Sequence, residues 1–93
     1  MRLRLTPQAE TDLEDIAAYL EPRNPQGAQR VEDAILDVFA LLIQYPEAGH
    51  LRGQRVRRFA LPRYPYLVFY RVNEGADEIE VLTVRHAARR EEN

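Results

Sequence analysis

Between residues 56 and 72 the chain reads "VRRFALPRYPYLVFYRV", a segment with four arginines, three tyrosines and no acid. Guanidinium is a planar, permanently charged fork that matches phosphate and carboxylate. Tyrosine adds an amphipathic ring with a polar tip. A run of these types with charge of one sign is suited to holding an anion or an acidic partner. Further along, "VRHAAR" contributes Arg85, His86 and Arg89. Among these groups His86 alone has a pKa naturally placed for acid–base work, because arginine stays protonated near neutral pH. The candidate binding residues are therefore Arg57, Arg58, Arg63, Tyr64, Tyr66, Arg71, Arg85, His86 and Arg89.

Other chemistries find no support. The chain has no cysteine and no serine, so disulfide, thiolate and serine-nucleophile chemistry are excluded. Thr6, Thr11 and Thr83 have no local histidine partner. His50 and His86 are far apart and neither sits at a metal-type spacing. There is no glycine-rich phosphate loop, and Glu10, Glu14 and Glu21 read as a solvated helix face. Neither a metal nor an organic cofactor is expected.

The 93 residues suit one domain spanning 1–93, and the composition is that of an ordinary globular protein. All 13 cations are arginine. The net charge of −2 conceals an asymmetry: residues 50–71 carry six arginines and no acid, whereas residues 1–47 carry nine acids against four arginines. Such a split can create one strongly positive face on a nearly neutral molecule. No apolar run approaches the roughly 20 residues that span a bilayer. The N-terminus turns polar too early for a secretory signal. A bacterial-type, cytoplasmic protein is expected.

The elements that must position these residues are legible from periodicity. "MRLRL" alternates and predicts a short strand. Thr6 then Pro7 predicts a helix start, with Ala9, Leu13, Ile16, Ala17 and Leu20 forming one apolar stripe and an end near Glu21, before Pro22. Asn24 then Pro25 repeats the signal, and Ala28, Val31, Ile35, Val38 and Leu42 form the second stripe, ending by Pro46 and Gly49. The short link between the helices predicts an antiparallel hairpin. "VFALLI" is apolar all round, which fits either deep burial or a strip covered by a partner. Residues 55–61, 66–73 and 78–86 then alternate with period two and predict an antiparallel meander, with "EGAD" supplying glycine for the second turn. The order β-α-α-β-β-β makes an α+β domain with an antiparallel sheet and an N-terminal helical hairpin on one face. Periodicity does not choose which face of "YLVFYRV" is buried: Tyr66, Val68, Tyr70 and Val72 share one side, Leu67, Phe69 and Arg71 the other.

In element order, and in the pieces "LTPQAETDLEDIAAYL", "YPEAG", "VRRFALPRYPYLVFYRV" and "IEVLTVRHAAR", nearly the whole chain resembles a type II toxin of the RelE/ParE superfamily. The resemblance implies a small toxin made beside an antitoxin that wraps it, ParD-like or similar, with an acidic segment disordered on its own. A toxin–antitoxin hetero-oligomer and no membrane association follow.

Two activities share that scaffold. RelE-like members cut messenger RNA in the ribosome with basic side chains, and ParE-like members bind and poison DNA gyrase. In RelE-like chains an arginine stands three residues before the middle-strand tyrosine; here the tyrosine is Tyr70 and that position is Leu67. A second arginine after the last strand aligns with Ala87, and of a lysine pair one position keeps a cation, Arg58, while the other is Ala60. Losing preorganised charge at a phosphoryl-transfer site typically lowers the rate by orders of magnitude. The resemblance therefore favours the ParE-like branch, a gyrase inhibitor with no catalytic residues. A RelE-like endoribonuclease using Arg58, Arg85, His86 and Arg89, or a non-toxic relic that only binds an antitoxin, are the alternatives.

Overall fold

A computed structural model describes residues 1–88 of the chain, so Arg89 lies outside the described residues. Strand β1 (Arg2–Leu5) leads into helix α1 (Pro7–Leu20) and helix α2 (Pro25–Gln44). Strands β2 (His50–Leu51), β3 (Val56–Ala60), β4 (Tyr66–Asn73) and β5 (Glu78–His86) follow. Both helix starts are built as the sequence predicts. The Thr6 hydroxyl accepts from Ala9 N–H at 3.1 Å, and the Asn24 side chain accepts from Gly27 N–H at 3.0 Å. Each is followed by proline at the first helical position, where no amide hydrogen is needed.

The five strands form one sheet in the order β1-β5-β4-β3-β2. Strands β2 to β5 pair antiparallel, as the short links require. Two features add to the expected layout. The pair His50–Leu51 is a short edge strand on β3, too brief to show a period. Strand β1 joins β5 in parallel, because the helical hairpin and meander bring the chain back beside its own start. The link after β4 also differs: Gly75 has no positive φ, and Asp77 takes the left-handed geometry at φ 54°. The Asn73 side chain accepts from Ala76 N–H and shapes that turn, and a short polar residue such as aspartate tolerates the conformation.

The helical hairpin covers one sheet face. Ala9, Val31, Ile35, Val38, Phe39 and Leu42 pack on Tyr66, Val68, Tyr70, Ile79, Val81 and Val84 to make the core. Leu13, Ile16 and Leu20 are partly buried against it, as their spacing predicts. "VFALLI" divides between the two readings: Val38, Phe39 and Leu42 are buried, whereas Leu41 and Ile43 are exposed. α1 also finishes the edge of β5 where β1 stops. The Asp12 carboxylate accepts from Val84 N–H at 3.0 Å and from the Thr83 hydroxyl. These bonds satisfy groups that an open edge would leave unpaired.

Candidate functional site

Pleating sorts the candidate residues. In β4, Tyr66, Val68 and Tyr70 are buried under the helices, so Leu67, Phe69 and Arg71 lie on the open face. Register extends that face across the sheet. Phe69 stands opposite Arg58, which stands opposite His50. Leu67 lies between Ala60 and Arg85, and Arg71 between Val56 and Glu80. Parallel pairing adds Arg4 beside Glu80 and Arg2 beside Glu78. Five arginines from four strands thus share one surface, although they are spread from residue 2 to residue 85 in the chain.

The two ends of that surface differ in charge. Arg4 donates to Glu78 at 2.9 Å and to Glu80 at 2.6 Å, which neutralises the β1–β5 side. Among the described residues, no hydrogen bond or ion pair holds the guanidinium of Arg58 or Arg71. The turn Arg52–Arg55 extends the positive side past Val56.

The remaining candidates stand elsewhere. Arg57 points to the helix side, and its guanidinium donates to the Gly49 carbonyl at 2.8 Å and the Glu47 carbonyl at 3.3 Å. It staples the loop after α2 instead of joining the open face. The same loop is anchored by Tyr70, whose hydroxyl donates to the Pro46 carbonyl at 2.7 Å and accepts from Gly49 N–H at 2.8 Å. A Cβ at Gly49 would stand 2.7 Å from that oxygen, which is why the position is glycine. Burial pushes the Tyr70 hydroxyl pKa above its ordinary value of 10.0, against the opposing pull of the Gly49 amide and Arg57.

Arg63 occupies the β3–β4 turn at φ 72°. With Tyr64, Phe59, Pro62 and the exposed Leu41 it lines a concave surface of about 430 Å³ beside α2. His86 and Tyr66 meet edge to face, ring centroids 5.3 Å apart, in a cleft of about 240 Å³ lined also by Asp12, Asp15, Tyr19 and Arg85. The His86 Nδ1 accepts from Ala88 N–H at 3.2 Å. His86 is therefore on the helix side of the sheet, across from Arg58. The eight candidates among the described residues fall on three surfaces and a loop staple, and Arg89 lies outside those residues. The open sheet face collects Arg58 and Arg71, with Arg85 between that face and the His86 cleft, and it adds Phe69 and Leu67, which residue charge alone does not single out. Among the described residues no group of three or more His, Cys, Asp or Glu could hold a metal, and no helix is long and apolar enough to cross a membrane.

Comparison with known proteins adds the following. A family model described as "ParE toxin of type II toxin-antitoxin system, parDE" matches residues 3–91. The candidate toxin Y4kP of Sinorhizobium fredii is 36% identical over 92% of this chain and 88% of its own. The toxin RelE2 of Caulobacter vibrioides is 32% identical over 88% of this chain and 90% of its own. Among solved structures, a chromosomal ParDE toxin–antitoxin system from P. aeruginosa superposes with a TM-score of 0.78 at 26% identity, covering 92% of this chain and 95% of that one. The E. coli RelBE complex shares the fold at a TM-score of 0.63 and 18% identity, with 95% and 98% covered.

Proposed function

Because this chain belongs to the ParE toxin family within the RelE/ParE superfamily, we propose that it is a type II toxin that acts by binding DNA gyrase and is silenced by a cognate antitoxin. The observation that carries the choice of target is the open-face row Ala60–Leu67–Arg85, where two of three positions are apolar. A site that cleaves RNA needs preorganised positive charge around the reacting phosphate together with an acid and a base. Here His86, the group suited to proton transfer, faces the helices while Arg58 faces away from them. That separation argues against a shared nuclease site, and protein–protein inhibition needs none.

Two assays on the purified protein test the assignment. Gyrase supercoiling should be inhibited, and messenger RNA on programmed ribosomes should remain uncut. Codon-specific cleavage that disappears in His86→Ala would instead assign the chain to the ribonuclease branch.

The cognate antitoxin has a separate place to bind. The concave surface beside α2 combines the exposed Leu41 and the half-buried Phe59 and Tyr64 with Arg63 on the turn, while Arg30 lies on α2 with the acids Asp33 and Asp37. An acidic, amphipathic segment suits it, with apolar anchors supplying affinity and the charge pairs encounter rate. Leu41→Gln should raise the dissociation rate of the pair, and Arg63→Ala should slow association most at low salt.

A further inference from the structure

The outer side of the helical hairpin carries more apolar surface than the core uses. On α2, Val31, Ile35, Val38 and Leu42 already face the sheet, yet Leu36 is 55% exposed and Ile43, two turns further on, is 38% exposed. Leu36 and Phe39 line a cleft of about 150 Å³ with Leu13, Ala17 and Leu20 of α1, and Glu32 is its one charged residue. Organic ligands are usually held in pockets of roughly 300 Å³ or more, so a cleft of this size suits the protruding side chains of a partner.

The border of the cleft has charge of one sign. Glu10, Glu14 and Glu21 stand seven and three residues before Ala17 and four residues after it, a spacing that puts all three on the same flank of α1. These glutamates and Glu32 are exposed, and among the described residues no carboxylate of the four has an ion-pair or hydrogen-bond partner. The two arginines of the hairpin are placed elsewhere. Arg23 lies 3.9 Å over the Tyr19 ring and donates to the Tyr19 carbonyl, and Arg30 is on the opposite flank of α2 beside Asp33 and Asp37.

Like charge disfavours two occupants. A second copy packed groove to groove would bring two acidic rims together, and an acidic segment would meet repulsion along Glu10, Glu14 and Glu21. A helix with apolar anchors on one side and lysine or arginine beside them satisfies both parts of the groove. We propose that the groove between α1 and α2 receives a basic amphipathic helix of a partner protein, with its anchors against Leu36 and Ala17 and its cations along Glu10, Glu14 and Glu21. The 14 residues of α1 match an occupant of about four turns. This groove lies on the other flank of α2 from the surface assigned to the antitoxin, and it does not depend on gyrase as the target.

A labelled peptide of leucine and lysine at helical spacing, about as long as α1, is titrated with the full chain and followed by anisotropy at several salt concentrations. A scrambled peptide of the same composition and a leucine–glutamate peptide of the same pattern are the controls, and both should bind at least about tenfold more weakly. Leu36→Gln should weaken binding of the leucine–lysine peptide roughly tenfold with its salt dependence unchanged. Glu10→Gln, Glu14→Gln and Glu21→Gln together should weaken it about tenfold at low salt and flatten the salt dependence. Asp33→Asn with Asp37→Asn, on the other flank of α2, should change neither. All these side chains are exposed, and thermal melts of each variant confirm folding. The proposal is overturned if the scrambled or the acidic peptide binds as tightly as the leucine–lysine peptide. It is overturned equally if Leu36→Gln binds like the parent, or if the triple glutamine variant keeps the parental salt dependence. Sedimentation of the parent as a dimer that Leu36→Gln dissociates would assign the groove to a second copy and also overturn it. Peptide binding by a parent protein that leaves gyrase untouched would remove the proposed target and leave this site standing.

Discussion

Tyr66, Val68 and Tyr70 lie beneath the helices, whereas Leu67, Phe69 and Arg71, their immediate neighbours in the chain, look the other way. Both sets are largely apolar, and both belong to the central stretch of the sheet. The buried set is fully engaged: Val68 and Tyr70 have no exposed surface, and the Tyr70 hydroxyl has both an acceptor and a donor. The open set has an aromatic ring half in water and a guanidinium that, among the described residues, makes no hydrogen bond or ion pair although Glu80 stands across from it. One face of the strand makes the molecule stable. The other retains unsatisfied interactions that a partner can complete.

The sharpest way to break this contrast is to place the same charge on adjacent residues. Val68→Asp buries a carboxylate in the core and should destabilise by about 4 kcal/mol or more, enough to unfold a marginal domain. Phe69→Asp should lower stability by only about 1 kcal/mol. Urea denaturation of the two variants measures the difference, and similar losses would mean that the open face is packed after all.

A smaller effect is expected from removing one oxygen from the buried face. Tyr70→Phe leaves the buried Gly49 amide and the Pro46 carbonyl without their partner, a loss of about 1–3 kcal/mol. The same residue sets an alkaline limit. Its pKa is raised in the folded state, so the neutral hydroxyl's contribution is complete below the unfolded value near 10 and is lost as pH rises through the folded one. Parent stability should therefore fall from about pH 10 upward, and the fall should be shallower in Tyr70→Phe. Equal alkaline slopes in denaturation curves would show that the hydroxyl is not protected.

The smallest change in stability should come from Arg58→Ala with Arg71→Ala. With no hydrogen bond or ion pair to lose among the described residues, the pair should alter the unfolding free energy by no more than about 0.5 kcal/mol per site. A pronounced loss would place these arginines in the structural set.

Much of the architecture was legible because it is local. Thr6-Pro7 and Asn24-Pro25 cap helices through bonds that span three residues, and the apolar spacing that follows is a property of each helix alone. The limits of β4 and β5 and the antiparallel meander follow equally from period-two alternation and short links. The short strand His50–Leu51 was not legible, since two residues display no period. The left-handed Asp77 was not legible either, because its geometry depends on the Asn73 side chain and not on the glycine nearby.

The candidate site was legible by type but not by place. The arginines at 57 and 58 look alike in sequence, yet one staples a loop and the other faces solvent across from Phe69, because successive residues of a strand point to opposite faces. Arg63 and His86, grouped with the other binding candidates by residue type, sit on two other surfaces. The sequence by itself determined the elements, their order and the charge asymmetry, all of which depend on near neighbours. Only the tertiary structure decided which face of the meander the helices cover, and hence which arginines meet. That choice rests on contacts between residues far apart in the chain: Val68 and Tyr70 against Phe39 and Leu42, Asp12 on Val84, and Tyr70 on Gly49. Alternation alone weighs the two sides of β4 almost equally, so it is the packing of the helices that separates core from site.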